Sequence, residues 1–466
     1  MMRALSFSEL QQRFGGTCYG DGLSFTQLET DSRTDLAGRV FLALKGDRFD
    51  GHRFCAQAAE QGAAGLVVSE YQPDIDLPQW CVDDTRIALG QIALFNRELF
   101  QGPVVGITGN SGKTTVKEML GSILATASDT DSVLITAGNF NNDIGVPLTL
   151  LRLSPEHKFA VIELGANHLG EIDYCARLAK PDVGVVLNVT GAHLGEFGSM
   201  QNIAQAKGEL ISALAAEGRV VINHDDNFAG YWQQLAGERV LTGYGLEPET
   251  GDPELVADNL VARNIQSSAE SGHLAGYCFD LCYQDAVQPV QLNVPAKHNV
   301  SNALAASAAA LQLGLTLLVI AQGLQAFSGV SGRLQTVTGF KQSRIINDSY
   351  NANPGSVRAA IDTLMDYVGQ HILVLGDIGE LGDDSISAHS ALGEYAREKR
   401  VDYLFTAGTL TKHTARAFGE GARHFSDKEA LAEAVAALLT PETTVLVKGS
   451  RSSRMEEVVN ALCPSE

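Results

Sequence analysis

The residues from Gly109 to Thr115 have the composition of a phosphate-binding loop. They lie between an apolar segment, PVVGITG, and a segment with helical periodicity, TTVKEMLGSILATA. Glycines allow backbone N–H groups to converge on phosphate oxygens, a lysine neutralises their charge, and the adjacent hydroxyl can bind Mg²⁺. The strict motif has glycine where this chain has Ile107, so a chance GKT is the alternative. The flanking strand and helix favour a nucleotide site formed by Gly109, Asn110, Ser111, Gly112, Lys113, Thr114 and Thr115.

Two residues follow other apolar segments and could complete this site. Glu163 ends FAVIELG, and His193 follows the segment DVGVVLNV. The carboxyl ends of neighbouring parallel strands share one crevice, so both side chains can face the loop. Mg²⁺ prefers hard oxygen ligands such as the Glu163 carboxylate. An ordinary strand-end carboxylate and a structural histidine are the alternatives.

Several other polar residues are ambiguous by themselves. Lys207, in AKGE, has the default interpretation of a solvated helix face. Asn141 and Asn142, in NFNNDIGVP, belong to a turn or supply amide donors near a γ-phosphate. In DSYNANP, Asn353 or Ser356 could simply cap the following helix.

The elements around these residues predict an α/β protein of three domains. Residues 1–101 form a small mixed α/β domain that ends with a helix and the breaker Gln-Gly-Pro. Residues 102–330 form a central domain in which near-continuous apolar runs indicate buried parallel strands. Its segment 243–296 has a short alternating pattern typical of antiparallel strands. Residues 331–466 alternate strands and helices and form a second doubly wound, Rossmann-like domain.

Composition excludes several classes of partner. The charge of 34 − 55 = −21 argues against nucleic-acid binding. Seven cysteines without a CxxC motif indicate reduced thiols and a reducing compartment. The N-terminus lacks the features of a signal peptide. The uncharged segment from Ser301 to Gly332 is long enough to span a bilayer, but its polar residues and glycines favour two buried helices, so we expect no membrane insertion.

Taken together, the motifs resemble those of the Mur ligase family. Between residues 108 and 451 they are TGNSGKTT, GNFNNDIGVP, IELGANHLGEI, NVTGAHLGEFGS, AKGEL, KHNVSNALAA, GRLQTV, NDSYNANPGSV, VLGDIGELG and VKGSR. TDSR, FLALKG and DGHRF extend the resemblance to the N-terminal region. GNFNNDIGVP and DSYNANP are similar to the branch that adds D-alanyl-D-alanine. The branch that adds diaminopimelate or lysine has a segment closer to DYAHTP, which this chain lacks.

This resemblance implies an N-terminal domain for a UDP group, a central P-loop ATPase-like domain and a C-terminal Rossmann-like domain. It implies a cytoplasmic, monomeric ligase of peptidoglycan synthesis, hence of cell-wall biogenesis, cell shape and cell division. ATP phosphorylates the terminal carboxylate of UDP-MurNAc-tripeptide. The amine of D-Ala-D-Ala then attacks the acyl phosphate, with ADP and phosphate as by-products.

The resemblance also implies a role for individual residues. Lys113 and Thr114 hold β/γ-phosphates and a first Mg²⁺, which Glu163 shares, while His193 and a carbamylated Lys207 serve a second Mg²⁺. Carbamylation would convert a cation that repels Mg²⁺ into an oxygen ligand. The remaining residues are assigned by ligand: Asn141 and Asn142 to the γ-phosphate, Asn299 to adenine, Arg333 and Asp348 to phosphate and ribose, Ser32, Arg33, Lys45, Asp50 and His52 to the uridine diphosphate end, and Lys448 and Arg451 to the C-terminal face of the cleft.

Other functions use part of the same pattern. A folylpolyglutamate synthetase or another Mur ligase shares the loop, the Mg²⁺ ligands and the acyl phosphate. A non-catalytic ATP-binding protein would not need Glu163, His193 and Lys207, and a phosphotransferase leaves the N-terminal domain unexplained. Because Arg333 and Asp348 follow Gly329 and Gly332, we expect ATP to bridge two domains and favour a closed state. Asp377, at a strand end, is a further candidate for ligand contact.

Overall fold

The computed structural model describes residues 2–46, 49–190, 197–246, 259–270 and 273–464. Three α/β units follow one another along the chain, each built on its own sheet. This arrangement confirms the predicted fold class.

The N-terminal unit contains a five-stranded sheet of order β2-β9-β8-β5-β4, parallel except for β2. Its elements are β1 (Leu5–Ser6), α1 (Phe7–Phe14), β2 (Thr17–Tyr19), β3 (Ser24–Phe25), β4 (Leu28–Glu29), β5 (Val40–Leu42), β6 (Lys45–Gly46), β7 (Phe49–Asp50), α2 (Cys55–Glu60), β8 (Gly65–Val68), β9 (Gln79–Cys81) and α3 (Thr85–Leu99). A 3₁₀ turn, Gly51–Phe54, lies between β7 and α2.

The central unit is a nine-stranded sheet of order β11-β12-β10-β13-β14-β15-β16-β17-β18. Its elements are β10 (Val104–Thr108), α4 (Lys113–Ala127), β11 (Val133–Ile135), α5 (Gly145–Leu150), β12 (Phe159–Glu163), α6 (Glu171–Ala179), β13 (Val183–Val186), α7 (Met200–Ala213), β14 (Arg219–Asn223), α8 (Ala229–Ala236), β15 (Leu241–Leu246), β16 (Leu260–Glu270), β17 (His273–Tyr283), β18 (Ala286–Leu292), α9 (His298–Gln312) and α10 (Leu317–Ala326). The strands from β11 to β16 pair in parallel, whereas β16, β17 and β18 pair antiparallel and extend the same sheet.

The C-terminal unit is a six-stranded sheet of order β19-β20-β24-β21-β22-β23, parallel except for β19. Its elements are β19 (Gln335–Thr338), β20 (Arg344–Asp348), α11 (Pro354–Met365), β21 (Gln370–Gly376), α12 (Ser385–Glu398), β22 (Tyr403–Ala407), α13 (Thr411–Phe418), β23 (Ala422–Phe425), α14 (Lys428–Leu438), β24 (Thr443–Lys448) and α15 (Glu456–Leu462).

The uncharged segment from Ser301 onward packs inside the central unit. Helices α9 and α10 contribute buried alanines and leucines to the same core as α4 and the strands. Within the described ranges, no helix is long and apolar enough to cross a membrane. The prediction of two buried helices is therefore confirmed. None of the seven cysteines, all of which lie in the described ranges, forms a disulfide; Cys278 is exposed, whereas Cys55, Cys175 and Cys282 are buried.

Candidate active site

The phosphate-binding loop joins β10 to α4 at the carboxyl edge of the central sheet, as predicted. Gly112, the residue before α4, has a left-handed backbone with φ +84°. A Cβ atom there would lie 2.5 Å from Oδ1 of Asn302, so both the conformation and the space require glycine. The N–H groups of the first turn of α4 consequently point toward the loop, which suits an anionic ligand.

Asn188, two residues after the end of the neighbouring strand β13, holds this loop in place. Its backbone oxygen accepts from the Asn110 N–H at 3.1 Å. Its side-chain Oδ1 accepts from the Ser111 N–H at 3.0 Å, and its Nδ2 donates to the Ser111 carbonyl at 3.1 Å. The sequence analysis did not single out Asn188 for a role. The one available signal was its position at a strand end beside the loop.

Thr114 and Glu163 meet at the same edge of the sheet. The Thr114 hydroxyl donates to Oε2 of Glu163 at 2.9 Å, and Asn141 Nδ2 donates to Oε1 at 2.8 Å. The Glu163 backbone N–H in turn donates to the Thr136 hydroxyl at 2.9 Å. Both Thr114 and Glu163 are buried. The carboxylate is therefore oriented by two side chains, and the Glu163 backbone is held by a third.

The oxygens of Thr114 and Glu163 fit a magnesium site. A hydroxyl and a carboxylate are hard oxygen donors, and their mutual hydrogen bond places them close enough to bind one ion. Among the described residues no group of three His, Cys, Asp or Glu side chains converges on one point. His193, predicted as a further ligand, lies outside the described residues.

Lys113 is a cation of the loop whose pKa responds to the charge of Glu163. Lys113 Nζ donates to the carbonyls of Gly109 at 2.7 Å and Asn110 at 3.3 Å. Burial, and then the positive charge of Arg333, lower the pKa of Lys113, although Glu163 opposes the shift. An ammonium that is bonded only to loop carbonyls can be redirected to phosphate oxygens.

Lys207 lies on α7 and its side chain is 1% exposed, so the default interpretation as a solvated helix face is wrong. Burial, and then the nearby charge of Lys113, lower the pKa of Lys207 to about 7. The ammonium lies 5.7 Å from the centre of the Phe197 ring. An amine with a pKa of about 7 is about half neutral at pH 7 and largely neutral well above it, and its neutral form can act as a nucleophile.

Two other predicted nucleotide residues, Asn142 and Asn299, make local contacts. Asn142 Oδ1 accepts from the Gly145 N–H at 2.8 Å and so caps α5. Asn299 Nδ2 donates to the Pro295 carbonyl at 2.7 Å, and its Oδ1 accepts from Asn302 at 2.9 Å. Thr115 is partly exposed in the first turn of α4. Of Asn141 and Asn142, it is Asn141 that contacts the carboxylate of Glu163.

Arg333, from the C-terminal side, reaches the phosphate-binding loop. Its Nη2 donates to the Thr114 hydroxyl at 3.0 Å. Its guanidinium lies 4.4 Å from the centre of the Tyr350 ring, and Arg451 lies 6.0 Å from the same centre. Arg451 also pairs with Glu456 at 2.9 Å and is largely exposed. The Tyr350 ring thus contacts two arginines, one of which reaches the loop before α4.

Asp348 and Lys448 form a buried ion pair in the C-terminal unit. Lys448 Nζ lies 2.6 Å from Asp348 Oδ2 and donates to the Asn351 carbonyl at 2.9 Å. Oδ1 of Asp348 accepts from the Leu334 N–H at 3.2 Å. The pair therefore fixes the DSYNANP segment to β24 and to the residue after Arg333.

Two ambiguous residues of the C-terminal unit have structural roles. Asn353 caps α11 through a reciprocal contact with Ser356, which confirms the interpretation that it caps the helix. The carboxylate of Asp377 accepts from the backbone N–H groups of Thr409, Leu410 and Thr411. It therefore caps α13, and these contacts use both of its oxygens.

The candidates for the uridine diphosphate end lie near the carboxyl ends of β4, β5 and β8. His52 Nδ1 donates to Asp50 Oδ1 at 2.7 Å, because its Nε2 accepts from the Ser69 N–H at 2.9 Å. Lys45 pairs with Glu70 at 3.2 Å. The contacts of His52 with Ser69 and of Lys45 with Glu70 thus connect the loop after β5 with the loop after β8. Ser32 is buried, and the exposed Arg33 pairs with Asp31, away from these contacts.

Three descriptions of Mur ligase domains match successive parts of this chain. "Mur ligase family, catalytic domain" matches residues 24–97, "Mur ligase middle domain" residues 107–310, and "Mur ligase, glutamate ligase domain" residues 332–451. Together they account for most of the sequence.

Individual proteins match from end to end. The chain is 41% identical to UDP-N-acetylmuramoyl-tripeptide–D-alanyl-D-alanine ligase of Escherichia coli (strain K12), over 99% of both chains. A crystal structure of MurF from Acinetobacter baumannii matches at 36% identity, with a TM-score of 0.89 and 99% coverage of both chains. MurF ligase from Thermotoga maritima in complex with ADP matches at 28% identity and a TM-score of 0.80, covering 94% of this chain and 96% of the other.

Proposed function

The chain belongs to the Mur ligase family, and we propose that it joins D-alanyl-D-alanine to UDP-MurNAc-tripeptide in peptidoglycan precursor synthesis. The observation that carries this specificity is the end-to-end similarity to a ligase named for that reaction. The observation that supports the chemistry is the contact of Thr114 with Glu163 at the phosphate-binding loop. The reaction consumes ATP and forms one amide bond.

The reaction proceeds in two displacements. A carboxylate oxygen of the tripeptide attacks the γ-phosphorus of ATP, and the bond to the β–γ bridging oxygen breaks to release ADP. The amine of D-Ala-D-Ala then attacks the acyl carbon. The C–O bond to phosphate breaks, the nitrogen loses a proton, and amide and inorganic phosphate result. Because the acyl phosphate supplies a good leaving group, the protein's task is positioning and charge neutralisation.

The loop residues Gly109 to Thr115 bind the β/γ-phosphates in this proposal. Backbone N–H groups and Lys113 supply the positive charge, while Asn188 keeps the loop in place. Thr114 and Glu163 would hold Mg²⁺, which neutralises phosphate charge when bound. Asn141 orients Glu163, and Asn142 shapes the turn next to it.

Lys207 is proposed to carry a carbamate. Its neutral amine can attack CO₂, forming an N–C bond with loss of a proton. The resulting anion would supply an oxygen ligand for a second Mg²⁺, together with His193. Burial beside Lys113 supports this assignment, because it lowers the pKa of the amine to about 7.

The remaining predicted residues are assigned to the nucleotide, to the C-terminal face of the cleft and to the uridine diphosphate end of the substrate. Asn299, Arg333 and Asp348 serve the nucleotide, and Lys448 and Arg451 line the C-terminal face of the cleft. Residues 102–330 bind ATP, and residues 331–466 close on the other two domains. Residues 1–101 bind the uridine diphosphate end through Ser32, Arg33, Lys45, Asp50 and His52. We further propose a monomeric enzyme of the cytoplasm.

An acceptor panel tests the proposed specificity. Phosphate release from ATP and Mg²⁺ is measured with UDP-MurNAc-tripeptide and, separately, D-Ala-D-Ala, L-Ala, D-Glu, meso-diaminopimelate or L-Lys. Turnover with the dipeptide alone is expected. Turnover with a single amino acid would assign the chain to another branch, and absence of turnover with every acceptor would favour the non-catalytic alternative.

A further inference from the structure

Arg86 and Asp143 form an ion pair between the N-terminal and central units. Arg86 is the second residue of α3, and Asp143 lies in the segment between β11 and α5. The Arg86 guanidinium Nη2 donates to Asp143 Oδ2. Both side chains are partly exposed, at 47% and 33%, so neither is needed to fill a core.

Arg86 has a fixed position at the edge of the N-terminal sheet. Asp84 follows β9 and caps α3, with its Oδ1 accepting from the Arg86 N–H at 2.7 Å and the Ile87 N–H at 3.2 Å. The carboxyl ends of the parallel strands β8 and β9 share this edge. Arg86 therefore belongs to the unit and the edge that also carry Lys45 and His52.

Asp143 is part of the segment that orients Glu163. Two residues earlier, Asn141 donates to the Glu163 carboxylate, and its backbone oxygen accepts from the Gly165 N–H at 2.8 Å. One residue earlier, Asn142 caps α5. A displacement of Asp143 would therefore be transmitted over two residues to the contact with Glu163.

Apolar packing makes this connection stiff. Ala88, Leu89 and Ile92 of α3 belong to the core of the N-terminal unit, and Ile144 and Leu148 of the central unit pack against that core. Ile144 directly follows Asp143. The ion pair thus lies at the rim of a packed interface, where its geometry is defined by both units.

We propose that Arg86 is a positioning residue for Glu163, acting through Asp143 and the 141–145 segment. The pair couples the unit assigned to the uridine diphosphate end with the carboxylate at the phosphate-binding loop. The activity measurements that test this inference rest on the proposed function, whereas the hydrogen-exchange measurement does not.

The test is a double-mutant cycle of Arg86→Gln and Asp143→Asn. Each single variant is expected to raise the Mg²⁺ concentration for half-maximal activity about fivefold. The double variant should raise this concentration no further than either single variant does. The KM for UDP-MurNAc-tripeptide should be unchanged, because neither residue is placed on that substrate. Lys399→Gln and Asp362→Asn, which break a pair of similar exposure in the C-terminal unit, are the matched control and should change neither value.

Hydrogen exchange of peptides covering residues 137–144, in the protein without ligands, is the second measurement. Faster exchange in both single variants is expected, because each releases the segment. Unchanged exchange, additive losses in the cycle, or a raised KM for the UDP substrate alone would overturn the inference. If the wild-type protein has no ligase activity, the proposed function fails, and the exchange experiment still decides the role of Arg86.

Discussion

The Thr114 hydroxyl lies between two partners, donating to Oε2 of Glu163 at 2.9 Å and accepting from Arg333 Nη2 at 3.0 Å. One side chain of the phosphate-binding loop therefore contacts a strand-end carboxylate of its own unit and a guanidinium of the next. Metal binding by Thr114 and Glu163 would replace their mutual hydrogen bond. Arg333 is then free to move to the phosphates, which is how nucleotide binding could connect the two units.

Removal of the Thr114 hydroxyl tests the metal assignment. Thr114→Ala is expected to lower kcat about 100-fold, because one oxygen ligand is lost beside the transferring phosphoryl group. Thr114→Ser keeps the hydroxyl and should retain most of the activity. Activity is measured over a Mg²⁺ titration. A Thr114→Ala enzyme with unchanged Mg²⁺ dependence would contradict the role of this residue in metal binding.

Lys207 makes stability depend on pH in a defined direction. The pKa is about 7 in the folded chain and 10.5 for an ordinary lysine, so the unfolded state binds the extra proton between these values. Stability should therefore rise with pH across this window. In CO₂-depleted buffer, Lys207→Met should melt at a higher temperature than the wild type at pH 7, with the difference shrinking toward pH 10. A constant difference would exclude a neutral buried amine.

The Asp348–Lys448 pair predicts a large loss of stability in one variant. Lys448→Met leaves the Asp348 carboxylate buried without its cation and should reduce the free energy of unfolding of the C-terminal unit by about 3 kcal/mol. Combining it with Asp348→Leu should recover part of that loss, because no charge remains unpaired. Denaturant melts of the three proteins provide the measurement. A double variant that is less stable than Lys448→Met would show that the charge is not the cause.

Asn188 predicts a defect in nucleotide binding. Asn188→Ala removes two hydrogen bonds to Ser111. It should raise the KM for ATP about 30-fold, since each bond contributes about 1 kcal/mol. Asn223→Ala, at the end of the more distant strand β14, is the comparison variant. Steady-state kinetics with varied ATP concentration provides the measurement. Equal effects of the two changes on the KM for ATP would argue against a specific role of Asn188 in holding the loop.

The sequence predicted what depends on local pattern. Lys113 and Thr114 were found because a short motif between a strand and a helix requires them, and Glu163 because strand ends share an edge. Lys207 gave no signal of burial, since a single lysine on a helix is usually solvated. Asn188 and Arg86 were not singled out for roles, because each acts on a segment more than fifty residues away. Such contacts follow from the packing of strands within a unit, for Asn188, and of two units, for Arg86, and residue spacing does not encode either.

The transfer of oxygen from substrate to phosphate tests the acyl-phosphate account most directly. UDP-MurNAc-tripeptide labelled with ¹⁸O in both oxygens of its terminal carboxylate is incubated with ATP, Mg²⁺ and D-Ala-D-Ala, and the phosphate and peptide products are analysed by mass spectrometry. The account predicts one labelled oxygen in the inorganic phosphate and one in the new amide carbonyl of the dipeptide product. Unlabelled phosphate, or phosphate released without incorporation of D-Ala-D-Ala, would contradict it.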